Sequence, residues 1–336
     1  MKKISFSILS VIIFTSIFIA CNNSKTKQSQ DNTVLTNHLV QNNIRVSYEY
    51  ALYVPEEYWF MKGIPAQEFI TQLYKKTAEG SVPVYLPLSN TPYPPHDAKL
   101  YFSKQENGSY GIPIEEITNI VFTEEWILDT ALFLMEKRVV EYSLVRQQTK
   151  ETAEGKTEHV KTLIATYRFP DQTAKSFSDL QALDSDITYE VPLDNPIVSD
   201  WLEQIPVPHV VQVILDKILD GTQPTYSFMV RDTLIELTNK EVREKLGEQI
   251  YSEVYYDEET NQEEIISDTL SIDYSECKGF AFIEDWFIDT NTMCIYKKVS
   301  GIAPVREYAK ILDQEDYELV RTIPCLTFFS DYSLTK

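Results

Sequence analysis

Residues 120–130 read Ile-Val-Phe-Thr-Glu-Glu-Trp-Ile-Leu-Asp-Thr, and residues 280–290 read Phe-Ala-Phe-Ile-Glu-Asp-Trp-Phe-Ile-Asp-Thr. In each stretch every second residue is apolar except for one glutamate: Ile120, Phe122, Glu124, Trp126 and Leu128, then Phe280, Phe282, Glu284, Trp286 and Ile288. That is the period of a half-buried strand. Asp129-Thr130 and Asp289-Thr290-Asn291 supply turns, and the β-rich runs 133–145 and 293–305 return antiparallel. A third strand, 160–169 or 320–329, closes each sheet. A turn centred on residues 130 and 131 sets Glu124 opposite Lys137 and Trp126 opposite Met135. The equivalent turn sets Glu284 opposite Lys297 and Trp286 opposite Ile295. Opposite charges facing each other across a ladder contribute ~0.2–1 kcal/mol, which accounts for an acid on an apolar face without catalysis.

The two stretches are an offset of 160 apart, and the same offset carries Lys137, Val139, Val145 and Arg146 onto Lys297, Val299, Val305 and Arg306. It also carries Thr162, Phe169 and Asp171 onto Thr322, Phe329 and Asp331. Upstream the offset becomes 141: Ile64-Pro65, Lys76, Gly80, Pro83 and Tyr85 fall onto Ile205-Pro206, Lys217, Gly221, Pro224 and Tyr226. An internal repeat at this spacing means two copies of one supersecondary unit. The difference between the offsets places a net insertion of 19 residues in the second copy, near 247–278, where Tyr255 to Gln262 reads as a hairpin with an acidic tip. In each copy a proline opens a helix and a glycine ends it. Ala66, Phe69, Ile70, Leu73 and Tyr74 share one face between Pro65 and Gly80, as Val210, Val211, Ile214 and Ile218 do between Pro206 and Gly221. A short strand around Tyr85 or Tyr226 follows, and Thr238-Asn239-Lys240-Glu241 carries the capping-box signature of a brief second helix. The expected fold class is α+β, with two tandem homologous modules, each a helix plus a small antiparallel sheet with a Trp-containing hairpin. The expected divisions are 1–20 signal peptide, 21–40 tether, 41–185 first module and 186–336 second module.

Lys2 and Lys3 precede an apolar run from Ile4 to Ala20 that ends at Cys21, the layout of a secretory signal. The run is broken by serines and threonines and is short for a spanning helix. Phe18-Ile19-Ala20-Cys21 resembles a lipobox, which makes Cys21 the expected lipidation site and acyl chains the expected anchor. Residues 22–35 are too polar to bury a core and read as a tether. Asn22 and the neutral or basic residues after it favour the inner leaflet of the outer membrane.

The net charge of −21 disfavours nucleic acid or anionic lipid as electrostatic partners and favours a basic protein. Nine glycines against 21 tyrosines and 16 phenylalanines disfavour a glycine-lined phosphate site and favour aromatic-faced sheets. Adjacent strand residues point to opposite faces, so Glu124-Glu125 and Glu284-Asp285 do not aim two carboxylates at one atom. His38, His96, His159 and His209 are isolated from one another and from zinc-spaced cysteines, and the chain carries no nucleophile elbow, dinucleotide fingerprint or Walker loop. The acids of 257–264 lack the calcium-loop glycine and read as a solvated hairpin tip. No enzyme, cofactor or metal is expected. Cys277, Cys294 and Cys325 read as buried thiols with at most one disulfide, Cys294 with Cys325.

Ile283-Glu284-Asp285-Trp286-Phe287-Ile288-Asp289, then Met293, then Val299-Ser300-Gly301-Ile302-Ala303-Pro304-Val305 resemble the signature of the GldN/PorN family of gliding-motility and type IX secretion proteins. Tyr167-Arg168-Phe169-Pro170 and the helix start at Thr238 resemble further family segments. The likeness is specific over about 200–331 and weaker over about 60–171. It implies a periplasmic structural subunit with protein partners (a GldK/PorK-like lipoprotein and a GldM/PorM-like periplasmic protein) and neither active site nor cofactor. The chain departs from the family pattern in carrying two modules, in its lipobox, and in lacking the family's first Trp- and Arg-rich segment. Those departures favour a divergent, duplicated relative over the core ring subunit. The expected role is a structural or accessory envelope lipoprotein facing the periplasm. The alternative is an envelope lipoprotein that binds glycan or peptide through Trp59, Trp201 or exposed tyrosines.

Overall fold

The computed structural model describes residues 41–54, 61–129, 131–152, 154–170, 175–193, 207–228, 234–257, 262–311 and 316–329. The expected signal segment, Cys21 and the tether lie outside them. Among the described residues no helix is long and apolar enough to cross a membrane.

The first half runs β1 (Gln41–Ala51), α1 (Ala66–Ala78), α2 (Pro95–Phe102), β2 (Ile117–Asp129), β3 (Leu134–Glu151) and β4 (Thr157–Arg168). The second runs β5 (Gln181–Pro192), α3 (Val207–Leu219), β6 (Thr225–Tyr226), β7 (Glu236–Leu237), α4 (Asn239–Lys245), β8 (Gln249–Asp257), β9 (Gln262–Leu270), β10 (Cys277–Asp289), β11 (Cys294–Ile311), β12 (Tyr317–Thr322) and β13 (Leu326–Phe328). Helices and antiparallel strands together make an α+β fold.

Local chemistry accounts for the elements. Pro65 precedes α1, where a missing N–H costs nothing, and α1 buries Phe69, Ile70, Leu73 and Tyr74 along one stripe. Gly80, at φ +68°, takes the left-handed turn that ends it, as Gly221 does at φ +70° after α3. The expected capping box at α4 is formed: the Thr238 hydroxyl accepts from Glu241 N, and the Glu241 carboxylate accepts from Thr238 N at 2.7 Å. The expected acidic hairpin is β8 paired with β9, its tip outside the described residues. The expected third strand of the second half is divided into β12 and β13 around Pro324, which has no N–H to give a ladder. Pro324 stands at the position of Ile164, where β4 bulges against β3.

Three strands go beyond the sequence reading: the two-residue β7, which pairs with β6, and the long strands β1 and β5. β1 pairs with β2, placing Val46, Tyr48 and Tyr50 opposite Glu124, Phe122 and Ile120. β5 pairs with β10, placing Ile187, Tyr189 and Val191 opposite Glu284, Phe282 and Phe280. The expected module boundary between 185 and 186 falls inside β5, so the second half begins at or before Gln181.

The hairpin turns are longer than expected. Asp129 pairs with Leu134 and Asp289 with Cys294, leaving four residues in each turn. The Asp129 carboxylate accepts from the N–H groups of Ala131 and Leu132 at 2.9 Å each, and Asp289 accepts from Asn291 N at 3.0 Å. Phe133 and Met293 close the turns at φ +48° and +59° and are buried. The register therefore moves by two: Trp126 faces Lys137 and Leu128 faces Met135, while Trp286 faces Lys297 and Ile288 faces Ile295. Glu124 and Glu284 face Val139 and Val299 instead of the expected lysines.

The two sheets are one. β4 covers the edge of β3 only from Glu141 onward. The earlier part of that edge pairs with β11, Arg138 with Tyr296 and Lys137 with Lys297. Strands β1, β2, β3, β11, β10 and β5 thus form a continuous antiparallel run, and its two end strands meet at the hydroxyls of Tyr48 and Tyr189. One apolar core joins both halves, with Trp126 edge-on to Phe282 and Phe122 edge-on to Trp286. Residues 38–336 form one compact unit, in place of two separately cored modules.

Candidate functional site

Where the run of strands closes, its inner face carries four charges. Glu124 lies on β2 and Glu284 on β10, each brought inward by a bulge at the preceding step of its hairpin. Lys137 and Lys297 face each other across β3 and β11. Two ammonium groups so placed repel, and each turns to the glutamate of the opposite half. Lys297 Nζ lies 2.6 Å from Glu124 Oε1, and Lys137 Nζ lies 2.7 Å from Glu284 Oε1. All four side chains are 0% exposed. The expected glutamate–lysine attraction is present, but its partners are exchanged between the hairpins.

Matching residues of the two halves complete the cluster, with the donors on separate oxygens at Glu124 and both on Oε2 at Glu284. Trp126 Nε1 donates to Glu124 Oε2 at 2.8 Å, and Trp286 Nε1 donates to Glu284 Oε2 at 2.7 Å. The Tyr48 hydroxyl donates to Glu124 at 3.0 Å and accepts from Lys297 at 2.7 Å. The Tyr189 hydroxyl donates to Glu284 at 2.9 Å and accepts from Lys137 at 3.2 Å. The two hydroxyl oxygens touch at 3.0 Å. Each ammonium also rests on the other half's aromatic face: Lys137 is 3.0 Å from the Phe282 ring centre and Lys297 is 3.7 Å from that of Phe122.

The electrostatics follow from enclosure. Burial opposes ionisation of Glu124, yet Lys297 and Lys137 outweigh it and hold the carboxyl below its ordinary range. Burial lowers Lys137 to about 8, only partly offset by Glu284 and Glu124. Burial first, then the two carboxylates, raises both tyrosine hydroxyls well above their usual value. An isolated buried charge costs several kcal/mol, so the cluster stands only as a neutral set of two acids and two bases. It contains the residue types of acid–base chemistry without an opening by which a substrate atom reaches them.

Tyr48 and Tyr189 are the members that sequence reasoning missed. The signal was available, because the upstream offset of 141 extends to Val46-Tyr48 and Ile187-Tyr189. Asp129 and Asp289 organise turns, as expected. Asp289 also accepts from Lys175 at 2.5 Å and from Thr292 at 3.0 Å; these bonds outweigh its burial and keep its carboxyl low. The expected Cys294–Cys325 disulfide is not formed. Cys325 is a buried free thiol that burial pushes up to about 12. Cys294 sits at the turn end of β11, whereas Cys325 adjoins β13, which pairs with β11 at Gly301 and Ile302. Several residues of strand rise separate them, far beyond the ~7 Å Cα limit of a disulfide.

Among the described residues no group of three or more His, Cys, Asp or Glu is arranged to hold a metal ion. His96 and His159 are exposed, and Trp59 and Trp201 lie outside the described residues. Among the described residues, open surface depressions include one of 750 Å³ beside α3 and Tyr274 and one of 680 Å³ at the start of α1. Neither adjoins the charged cluster.

No curated protein matches the chain. Residues 206–329, which span α3 to β13 but omit β5, match the family described as Gliding motility associated protein GldN, and over that stretch, less than half of the chain, the protein is GldN-like.

Proposed function

We propose that this protein is a non-enzymatic, periplasm-facing lipoprotein of the gliding-motility and type IX secretion machinery, anchored through Cys21 and acting through protein contacts. The observation that carries the reading is the GldN match over residues 206–329. The enclosed charges of both halves serve to lock the fold, which suits a structural subunit better than a catalyst. The halves derive from duplication of one module. In support, β2 and β10, β3 and β11, and α1 and α3 begin and end at the same two sequence offsets. The expected partners are a GldK/PorK-like lipoprotein and a GldM/PorM-like periplasmic protein.

Affinity capture from crosslinked cells, read by mass spectrometry, tests this. Recovery of those envelope components is expected, together with loss of membrane association in Cys21→Ser. Capture that recovers no gliding or secretion component overturns the reading.

A further inference from the structure

The β8–β9 hairpin belongs to the second half alone. In the first half the chain passes from Phe102 at the end of α2 to Ile117 at the start of β2 through a segment with a single antiparallel bridge, Lys104 with Tyr110, whereas here two nine-residue strands intervene. The hairpin adds nothing to the core: every one of its described side chains is exposed, with Ile250 at 67%, Val254 at 63% and Leu270 at 54%. Among the described residues β8 and β9 pair only with each other, and a lone two-stranded hairpin is marginally stable in water. Apolar side chains held on such an element are stabilised when something covers them.

Charge says what that is. From Gln249 to Leu270 the chain carries seven carboxylates (Glu253, Asp257, Glu258, Glu259, Glu263, Glu264 and Asp268) and no lysine, arginine or histidine. A second copy would bring seven like charges against seven, and like charges across a ladder are destabilising. An anionic membrane surface is repelled for the same reason. A lysine- or arginine-rich protein surface with an apolar strip meets both features, and charge complementarity of this kind sets partner choice and encounter rate.

We infer that the β8–β9 hairpin is a docking arm for a basic, partly apolar protein surface. This rests on the protein-contact reading above and names the element that makes the contact. The test is in-cell photocrosslinking of the full-length protein with benzoylphenylalanine at Tyr251 or Val254, with Leu88 and Leu132 as exposed control sites. Sequencing of the crosslinked peptides is expected to show another protein with lysine and arginine in excess over acids. Yield at residue 254 is expected to fall roughly ten-fold when Glu264→Lys and Asp268→Lys are combined, with an unchanged melting temperature showing that the fold is intact. Adducts of the chain with itself, adduct peptides lacking cationic excess, or silence at 251 and 254 overturn the inference. Silence there while whole-chain capture still recovers the secretion machinery leaves the proposed function standing. Cationic adducts on a protein outside that machinery support the arm and overturn the function.

Discussion

Replacing Glu124 by Gln removes the counter-charge of Lys297 while keeping the shape of the side chain. Lys297 is then a buried ammonium, 0% exposed, with the Tyr48 hydroxyl and aromatic faces for company. Breaking a buried pair from one side costs about 3–5 kcal/mol. At ~2.1 cal/mol/K of unfolding entropy per residue, a folded unit of about 300 residues loses roughly 5–8 °C of melting temperature. The informative measurement is a pair of double-mutant cycles by chemical denaturation. Glu124→Gln with Lys297→Met removes both members of one exchanged pair and is expected to recover a large part of the loss, with a coupling energy of about 2–3 kcal/mol. Glu124→Gln with Lys137→Met strips one member from each pair, and because these two attract each other without close contact, a clearly smaller coupling energy is expected. If instead the 124/137 double mutant recovers and the 124/297 one does not, each hairpin neutralises itself and the exchange is wrong.

Acid should weaken the fold. Glu124 has a folded pKa below its ordinary 4.5, so its stabilisation is complete above 4.5 and is lost as pH falls through the lower folded value, readable as a falling melting temperature. Lys137 acts in the opposite sense. Its folded value near 8 lies below 10.5, so the unfolded chain holds the proton across that window and stability from this group rises with pH between about 8 and 10.5. Trp286→Phe removes an indole donor from a buried carboxylate and opens space beside Tyr50; a loss of about 2–4 kcal/mol is expected by denaturation. Gly111→Ala would place a methyl 2.3 Å from the carbonyl oxygen of Leu100 and 2.9 Å from Tyr101 Cα, so α2 must move, and a drop of at least about 2 kcal/mol is expected. Cys325 is expected to resist maleimide in the native protein and to react only on unfolding, as mass spectrometry would show.

Much of this was legible in the sequence because the signals were local. α1 and α3 announce themselves through a proline before, a glycine after and an apolar stripe between. The Trp hairpins do so through strict alternation. The turn length was misjudged because Thr130 and Thr290 look like turn centres, whereas the aspartates bond two or three residues onward and Phe133 and Met293 are drawn into the core. The exchange of charge partners was beyond reach for a different reason. A register argument inside one hairpin knows its own two strands, but the edge that Lys137 presents is open only because β4 starts pairing at Glu141. β1 and β5 were overlooked because they lie outside the two Trp hairpins, although Tyr48 and Tyr189 stand at the offset the helices had already fixed.

The exchanged ion pairs have a consequence for biogenesis. Glu124 emerges from the ribosome long before its nearest base, Lys297, and the lysine of its own hairpin, Lys137, attracts it but makes its close ion pair with Glu284 of the later half. An amino-terminal half released alone therefore holds an acid and a base that each lack the close partner of the finished fold, both of which lie in the last quarter of the polypeptide. Truncations between the halves should accordingly yield proteolysed fragments rather than a folded half-molecule, because the charge cluster closes only when both halves are present.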